Sequence, residues 1–250
     1  MCGICGEFKF NNEGFVQKKL DNLMNSISKR GKDSSGKYLD NNVFLGHHRL
    51  AIIDTSEKSN QPMKIENYVI VFNGVIFNYP TLKRNLIKKG HRFESKGDTE
   101  VIIRAYIEFG EKCVDHFDGV FAFCIYDSKR NTIFLARDRI GIKPLYYHKN
   151  KDGDVFFGSE IKAFLPFLES RNICSTALND YFNFQFSLKN RTLLSGIFKV
   201  EPGCCGWVDT DQKISIKKFK IGTILSILVS SVINPFFNGT FKSSLNKTLF

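Results

Sequence analysis

Alternating and helical patterns of apolar residues predict a strand followed by a helix at the start of the chain. Residues from Gly3 to Phe10 alternate well enough to indicate a strand. Apolar side chains then recur at three- and four-residue spacing, which predicts an amphipathic helix. They are Val16, Leu20, Leu23, Met24 and Ile27. The glycine- and serine-rich segment 30–36 is expected to be a plain loop.

Further strands and two helices are predicted along the rest of the chain. Segment 46–54 is an apolar strand in this prediction, with a turn after it. Pro80 suits the first position of a second helix, and Asp98 suits the N-cap of a third. Continuous apolar segments predict four more strands, and one more helical turn is expected over 180–184. The four segments are 121–126, 133–136, 145–147 and 155–157.

The dipeptide Asn73-Gly74 lies in the middle of the apolar segment 68–77. Asn-Gly between apolar runs is the strongest short signal for a β-hairpin with a type I′ turn. We therefore predict two strands that meet at this dipeptide. The same two residues also suit an oxyanion hole, because the Asn73 amide and the Gly74 N–H can point at one oxygen.

The predicted elements together favour an α+β fold with four layers. Strands that are apolar on both faces need cover on both faces, and helices lie at both ends of the strand series. The simplest packing is an α/β/β/α sandwich, in which two antiparallel sheets pack face to face with helices outside.

Composition and charge narrow the class of protein. The chain has 250 residues, of which 42% are hydrophobic, and is long enough for a full core. Its net charge of +11 is carried by scattered lysines, which suit solvated faces better than a nucleic-acid surface. Seven cysteines without regular spacing favour reduced thiols in a cytoplasmic protein, and no signal peptide is expected.

The candidate nucleophile is Cys2. Removal of Met1 would give Cys2 a free α-amino group, so that the residue would carry its own base. One alternative is a buried, unreactive thiol. Another is a zinc or redox site formed with Cys5, but no second C-x-x-C occurs, so no metal site is expected. Pairing of Cys2 with His47 or His48 is a further alternative, which the amine makes unnecessary.

Two charged residues are candidates for binding an amino-acid substrate. The guanidinium of Arg49 suits a carboxylate, although an internal ion pair is equally consistent with the sequence. Asp98 would bind an ammonium group if the helix start faces the pocket, and otherwise caps the helix.

Seven segments in one order resemble the amidotransferase domain of glutamine-hydrolysing asparagine synthetases. These segments are Cys2-Gly3-Ile4, Arg30-Gly31 with Asp33 and Gly36, His48 to Asp54, Gln61-Pro62, Asn73 to Tyr79, Asp98-Thr99-Glu100 and Arg137 to Tyr147. The set covers roughly residues 2–220 and is far more specific than any single motif. The resemblance implies the N-terminal nucleophile hydrolase fold and a class II glutamine amidotransferase.

The resemblance also implies a role for each candidate residue. Cys2 would attack the amide of L-glutamine and form a glutamyl thioester, with its own amine as the base. Asn73 and Gly74 would form the oxyanion hole, Arg49 would bind the carboxylate and Asp98 the ammonium. The pocket would be lined by Leu50, Ala51, Ile52 and Ile53. Val75 departs from the family, which usually has an acidic residue there, and a non-catalytic module is the competing interpretation.

The resemblance implies an amidotransferase domain at 2–220, and the abrupt change of composition after Lys220 sets 221–250 apart as an atypical apolar tail. No Ser-Gly-Gly-x-Asp-Ser segment follows, so ATP and magnesium are expected only in a synthetase domain or partner polypeptide outside this sequence. The chain itself is expected to need no cofactor. The apolar run 221–233 is shorter than the roughly 20 residues that span a bilayer, which favours an atypical or truncated tail over a membrane segment.

Overall fold

The structure is a computed structural model that describes residues 1–10, 14–209, 211 and 213–219. Within these ranges the strands are β1 Gly3–Phe8, β2 Ser34–Leu39, β3 Val43–Arg49, β4 Met63–Ile65, β5 Tyr68–Ile76, β6 Gly119–Asp127, β7 Thr132–Arg137, β8 Tyr146–Lys149, β9 Val155–Gly158, β10 Ile197–Lys199, β11 Cys204–Val208 and β12 Ile214–Lys218. The α-helices are α1 Gln17–Ile27, α2 Tyr79–Lys88, α3 Asp98–Phe109 and α4 Ser175–Phe184. Short 3-10 helices cover Glu57–Ser59, Gly110–His116 and Ile161–Phe167.

The strands form two six-stranded sheets. The first sheet has the order β10-β8-β9-β1-β3-β2, and the second has the order β12-β11-β7-β6-β5-β4. All pairings between these strands are antiparallel. The first sheet therefore has β1 near its centre, and the second has β6 and β7 there.

Three apolar clusters hold the layers together. Between the sheets, Ile4 and Phe8 of β1 pack in one cluster with Val69 and Val71 of β5. Helix α1 covers the outer face of the first sheet, and α2 and α3 cover the outer face of the second. The predicted four-layer α/β/β/α sandwich of antiparallel sheets is confirmed.

The predicted hairpin at Asn73-Gly74 is wrong. Both residues lie inside β5, which continues to Ile76 and pairs along its whole length with β6. A type I′ turn needs positive φ at both central residues, and neither Asn73 nor Gly74 has one. The long partner strand outweighs the local turn preference, and Gly74 is needed because a Cβ there would lie 2.2 Å from the Val120 carbonyl oxygen.

Two further boundaries differ from the sequence prediction. Ser34, Ser35 and Gly36 were expected in a loop but begin β2, which pairs with β3. The strand predicted over 46–54 ends at Arg49, and the chain then leaves the sheet. This early end turns residues 50–53 into a loop beside Cys2.

The apolar run 221–233 lies outside the described residues. Among the residues that are described, no helix has the length and apolar character needed to cross a membrane.

Candidate active site

A cavity of about 120 Å³ opens beside the start of β1, the end of β3 and the middle of β5. Nine of the ten residues predicted for the site line the wall of this cavity. These nine are Cys2, Arg49, Leu50, Ile52, Ile53, Asn73, Gly74, Val75 and Asp98. The exception is Ala51, whose N–H donates to the Asp33 carboxylate at 2.7 Å. Ala51 is not among the residues that line the cavity, and its contact with the substrate stays a prediction.

Cys2 lies immediately before β1, where its thiol faces the loop that follows β3. The Leu50 N–H donates to Cys2 Sγ at 3.3 Å, and the thiol lies 3.6 Å from the Leu50 carbonyl oxygen. Burial raises the pKa of the Cys2 thiol, while the backbone contact with Leu50 opposes this change. Arg30 Nε donates to the Cys2 carbonyl at 2.9 Å and so fixes the backbone that carries the thiol.

Cys5 and His47, which the sequence offered as partners of Cys2, have other contacts in the structure. Cys5 is fully buried beneath α1, where its thiol lies 3.9 Å from Met24 Sδ. His47 is also fully buried, and its Nε2 is 3.1 Å from the Phe72 carbonyl oxygen on the opposite sheet. Burial lowers the pKa of His47 to about 3, so this histidine is neutral. Both residues therefore have structural contacts away from the cavity.

Beyond Ile70, where its pairing with β4 ends, β5 presents N–H groups to the cavity side. Two of them have side-chain acceptors, since the Phe72 N–H donates to Gln61 Oε1 at 2.6 Å and the Ile76 N–H to Asp98 Oδ2 at 3.0 Å. Alternate residues of a strand direct their N–H groups to the same side, so the Gly74 N–H between them points the same way. Gly74 lines the cavity, and its N–H has no side-chain acceptor among the described residues.

The Asn73 side chain completes a pair of donors with the Gly74 N–H. By strand alternation it lies on the same face of β5 as Val69 and Val71, which points towards the sheet that carries β1. Asn73 is only 1% exposed, yet its Nδ2 has no hydrogen-bond partner in the described part of the chain. A buried donor without a partner is costly, which suggests that a ligand oxygen completes it.

The Arg49 guanidinium is held by neutral oxygens of the loop that follows β3. One nitrogen donates to the Ser56 carbonyl at 3.0 Å and to Asn60 Oδ1 at 2.8 Å, and the other donates to the Asp54 carbonyl. None of these acceptors is a carboxylate, so the internal ion pair considered from the sequence is not what holds Arg49. Its positive charge remains available to an anion in the cavity.

Asp98 is the first residue of α3 and points back towards β5. The residue at the N-cap position is Gly97, so the prediction that Asp98 caps the helix is wrong. One carboxylate oxygen instead accepts the Ile76 N–H, and the residue is 6% exposed. Burial raises the pKa of the Asp98 carboxyl, against the effect of the backbone N–H groups around it.

Several residues on the cavity wall were not predicted. They are Met1, Asp54, Ser59, Gln61, Phe72, Gly97, Thr99 and Lys143. Four of them occur in segments that carry the family resemblance, but none has a sequence signal for its contacts; they are Asp54, Gln61, Thr99 and Lys143. Gln61 bridges two elements, because its amide nitrogen also donates to Thr99 Oγ1 at 3.2 Å. Within the described ranges, no group of three or more His, Cys, Asp or Glu residues is arranged to hold a metal ion.

Comparisons with known proteins match almost the whole described chain. A protein-family model described as a glutamine amidotransferase domain matches residues 1–220. Asparagine synthetase [glutamine-hydrolyzing] 3 of Bacillus subtilis is 44% identical over 208 residues, which cover 80% of this chain and 33% of that protein. A putative asparagine synthetase [glutamine-hydrolyzing] 2 of Methanocaldococcus jannaschii is 37% identical over 243 residues, with 88% and 46% covered. The chain thus spans between a third and a half of these relatives.

A solved structure supports the fold. Glutamine phosphoribosylpyrophosphate amidotransferase from B. subtilis superposes with a TM-score of 0.64 at 19% identity, over 88% of this chain and 50% of that one. The resemblance to the amidotransferase domain of asparagine synthetases is confirmed by the sequence matches. The chain belongs to the glutamine amidotransferase domain family.

Proposed function

We propose that this chain hydrolyses L-glutamine to glutamate and ammonia, with Cys2 as the nucleophile. The observation that carries the proposal is the meeting of three groups at one cavity: the Cys2 thiol, the Gly74 N–H and Asn73 Nδ2, which has no hydrogen-bond partner among the described residues. A nucleophile beside two hydrogen-bond donors is the arrangement that amide hydrolysis requires.

The reaction follows from these groups once Met1 has been removed. The α-amine of Cys2 accepts the thiol proton, and the thiolate attacks the side-chain amide carbon of glutamine. Asn73 and Gly74 donate to the oxyanion as it forms. The ammonium form of the amine returns the proton to the departing nitrogen, which releases ammonia and leaves a thioester. Water then attacks the thioester with the amine as its base, giving glutamate and free Cys2.

Arg49 and Asp98 are proposed to bind the two charged groups on the α-carbon of glutamine. The guanidinium of Arg49 offers donors to the α-carboxylate, and the second oxygen of Asp98 offers an acceptor to the α-ammonium. Leu50, Ile52, Ile53 and Val75 would contact the rest of the substrate, since they line the same cavity.

We further propose that the released ammonia amidates aspartate in a synthetase domain or partner polypeptide, where ATP and magnesium would be used. The relatives described as glutamine-hydrolysing asparagine synthetases support this acceptor. A protein described as amidase chry2 is also 36% identical over 194 residues, so an amidotransferase that serves another acceptor is the alternative. The amidotransferase domain is proposed to occupy 2–220, and a cytoplasmic location is proposed from the seven free cysteines.

Steady-state release of glutamate and ammonia from glutamine tests the proposal. We expect activity in the protein and its loss in Cys2→Ala. Cys174→Ser is the matched control, because Cys174 is a partly exposed free thiol like Cys2 but lies before α4, away from the cavity wall. Equal loss in both variants, or hydrolysis that survives Cys2→Ala, would contradict the proposal.

A further inference from the structure

Asp54 lies between the two proposed charge-binding residues and contacts the segments that carry both. Its Oδ1 accepts the Ser56 N–H at 3.0 Å, and its backbone carbonyl accepts a donor of Arg49. These contacts fix the turn whose oxygens hold the Arg49 guanidinium, because the Ser56 carbonyl is another of the acceptors.

The second carboxylate oxygen of Asp54 reaches the segment that enters α3. It accepts the Lys96 N–H at 2.8 Å and the Ser59 hydroxyl at 2.7 Å. Ser59 is 4% exposed and lies close enough to Gly97 that a Cβ there would come within 2.8 Å of its hydroxyl oxygen. Asp98 follows directly, so Asp54 holds the chain just before the proposed ammonium-binding carboxylate.

The three hydrogen bonds to the side chain are made to a carboxylate that stays ionised. Hydrogen bonds from Ser59, Ser56 and Lys96 hold the pKa of Asp54 well below its usual range. Bonds to a charged acceptor are shorter and stronger than bonds between neutral groups. The Asp54 carboxylate therefore links the turn after β3 to the segment before α3 through charge-assisted hydrogen bonds.

We propose that Asp54 is a positioning residue that sets the separation between Arg49 and Asp98, and so selects for substrates with both an α-carboxylate and an α-ammonium. This inference rests on the proposed function. The two charged groups of an α-amino acid are attached to one carbon, so their separation is fixed by the substrate. Binding both at once requires that the protein hold their partners at the matching distance.

The substitution Asp54→Asn disrupts these hydrogen bonds while the side chain keeps nearly the same shape. An amide has one acceptor oxygen and one donor nitrogen, so it cannot accept from the Ser56 side and the Lys96 side together. We expect kcat/KM for L-glutamine to fall about tenfold through KM, as loss of a charge-assisted hydrogen bond allows. The kcat should change little, because Asp54 has no proposed contact with the reacting amide.

The decisive readout is selectivity against 4-carbamoylbutanoate, which is glutamine without its α-ammonium. A ligand with one charge does not depend on the separation of two partners, so its kcat/KM should fall by less than about twofold in Asp54→Asn. Ser59→Ala removes one donor to Asp54 and should shift selectivity in the same direction by a smaller factor. This second variant keeps the inference testable if Asp54→Asn folds poorly.

Asp127→Asn is the matched control. Asp127 also organises a turn, accepting from Asn67, Lys129 and Arg130, and it pairs with Tyr68 at the opposite end of β5 from Gly74. The Asp127→Asn substitution should lower the unfolding temperature without changing the selectivity between the two substrates. Parallel losses for both substrates in Asp54→Asn, or unchanged kinetics, would overturn the inference. If the unmodified protein hydrolyses no glutamine, the proposed function has failed instead.

Discussion

Replacing Asn73 by alanine separates a catalytic role of this residue from a structural one. Loss of one oxyanion donor costs about 10²–10³-fold in kcat, or about 3–4 kcal/mol of transition-state stabilisation. Glutamine binding in the ground state relies on the charged α-groups, so we expect KM to change by less than about threefold.

The structure predicts an unusual stability result for the same change. Asn73 Nδ2 has no partner in the described part of the chain, so Asn73→Ala breaks no hydrogen bond at this atom. Relief from burying an unpaired donor, about 1–3 kcal/mol, opposes the cost of the small cavity that is left. The free energy of unfolding should therefore change by less than about 1 kcal/mol.

The assay measures the rate of glutamate production and, by urea titration, the free energy of unfolding. Asn42→Ala is the control. Asn42 Nδ2 donates to the Lys9 carbonyl at 3.1 Å, and Asn42 is absent from the wall of the site cavity. Its replacement should cost about 1 kcal/mol of stability and leave kcat unchanged. Asn73 is not an oxyanion donor if Asn73→Ala keeps its kcat, or if its loss of rate is matched by a large loss of stability.

Four other changes have defined outcomes. Arg49→Lys should raise KM for glutamine about tenfold, because one ammonium cannot reproduce the planar fork, and an unchanged KM would remove Arg49 from the site. Asp98→Asn should raise KM with little change in unfolding temperature, since its amide oxygen can still accept the Ile76 N–H; a large stability loss with normal kinetics would point to a purely structural role. Gly74→Ala should lower the unfolding temperature and the rate together, because the added Cβ would lie 2.7 Å from Phe121 Cα; wild-type stability would show that β5 adapts. Burial raises the pKa of Glu7 from 4.5 to about 7. The folded state therefore favours protonated Glu7, and the free energy of unfolding falls as pH rises from 4.5 through 7, because the unfolded chain loses this proton first. In urea unfolding, Glu7→Gln should therefore gain up to about 3 kcal/mol relative to the unmodified protein across that range, and a constant difference would contradict the shift.

The layers of the fold could be predicted because they depend on periodicity. The apolar spacing that gave α1 and the two-faced apolar strands that required cover on both sides are visible in sequence. The hairpin at Asn73-Gly74 was mispredicted because pairing with β6, a contact between residues far apart in sequence, overrides the local turn preference. Strand β3 ends at Arg49 because its partners end there: Gly3 of β1 lies opposite His48, and Ser34 of β2 lies opposite Arg49.

The site could be predicted where a residue carries recognisable chemistry. Cys2, Arg49 and Asp98 were found this way, and the structure brings them to one cavity. Asp54 and Gln61 were missed because their roles come from contacts across turns and between elements, which no local pattern records. Ala51 was included with its neighbours, but its N–H is turned towards Asp33.

Cys2, with Met1 removed and its amine free, is proposed as the nucleophile that attacks glutamine. Peptide mapping by mass spectrometry after reaction with a chloromethyl ketone analogue of glutamine tests this directly, because the reagent alkylates the thiol that binds beside its carbonyl. We expect one adduct per chain, on a peptide that begins with Cys2, and protection by excess L-glutamine. An adduct on Cys5 or Cys174, or efficient labelling of Cys2 in chains that retain Met1, would show that the nucleophile is not Cys2 with a free amine.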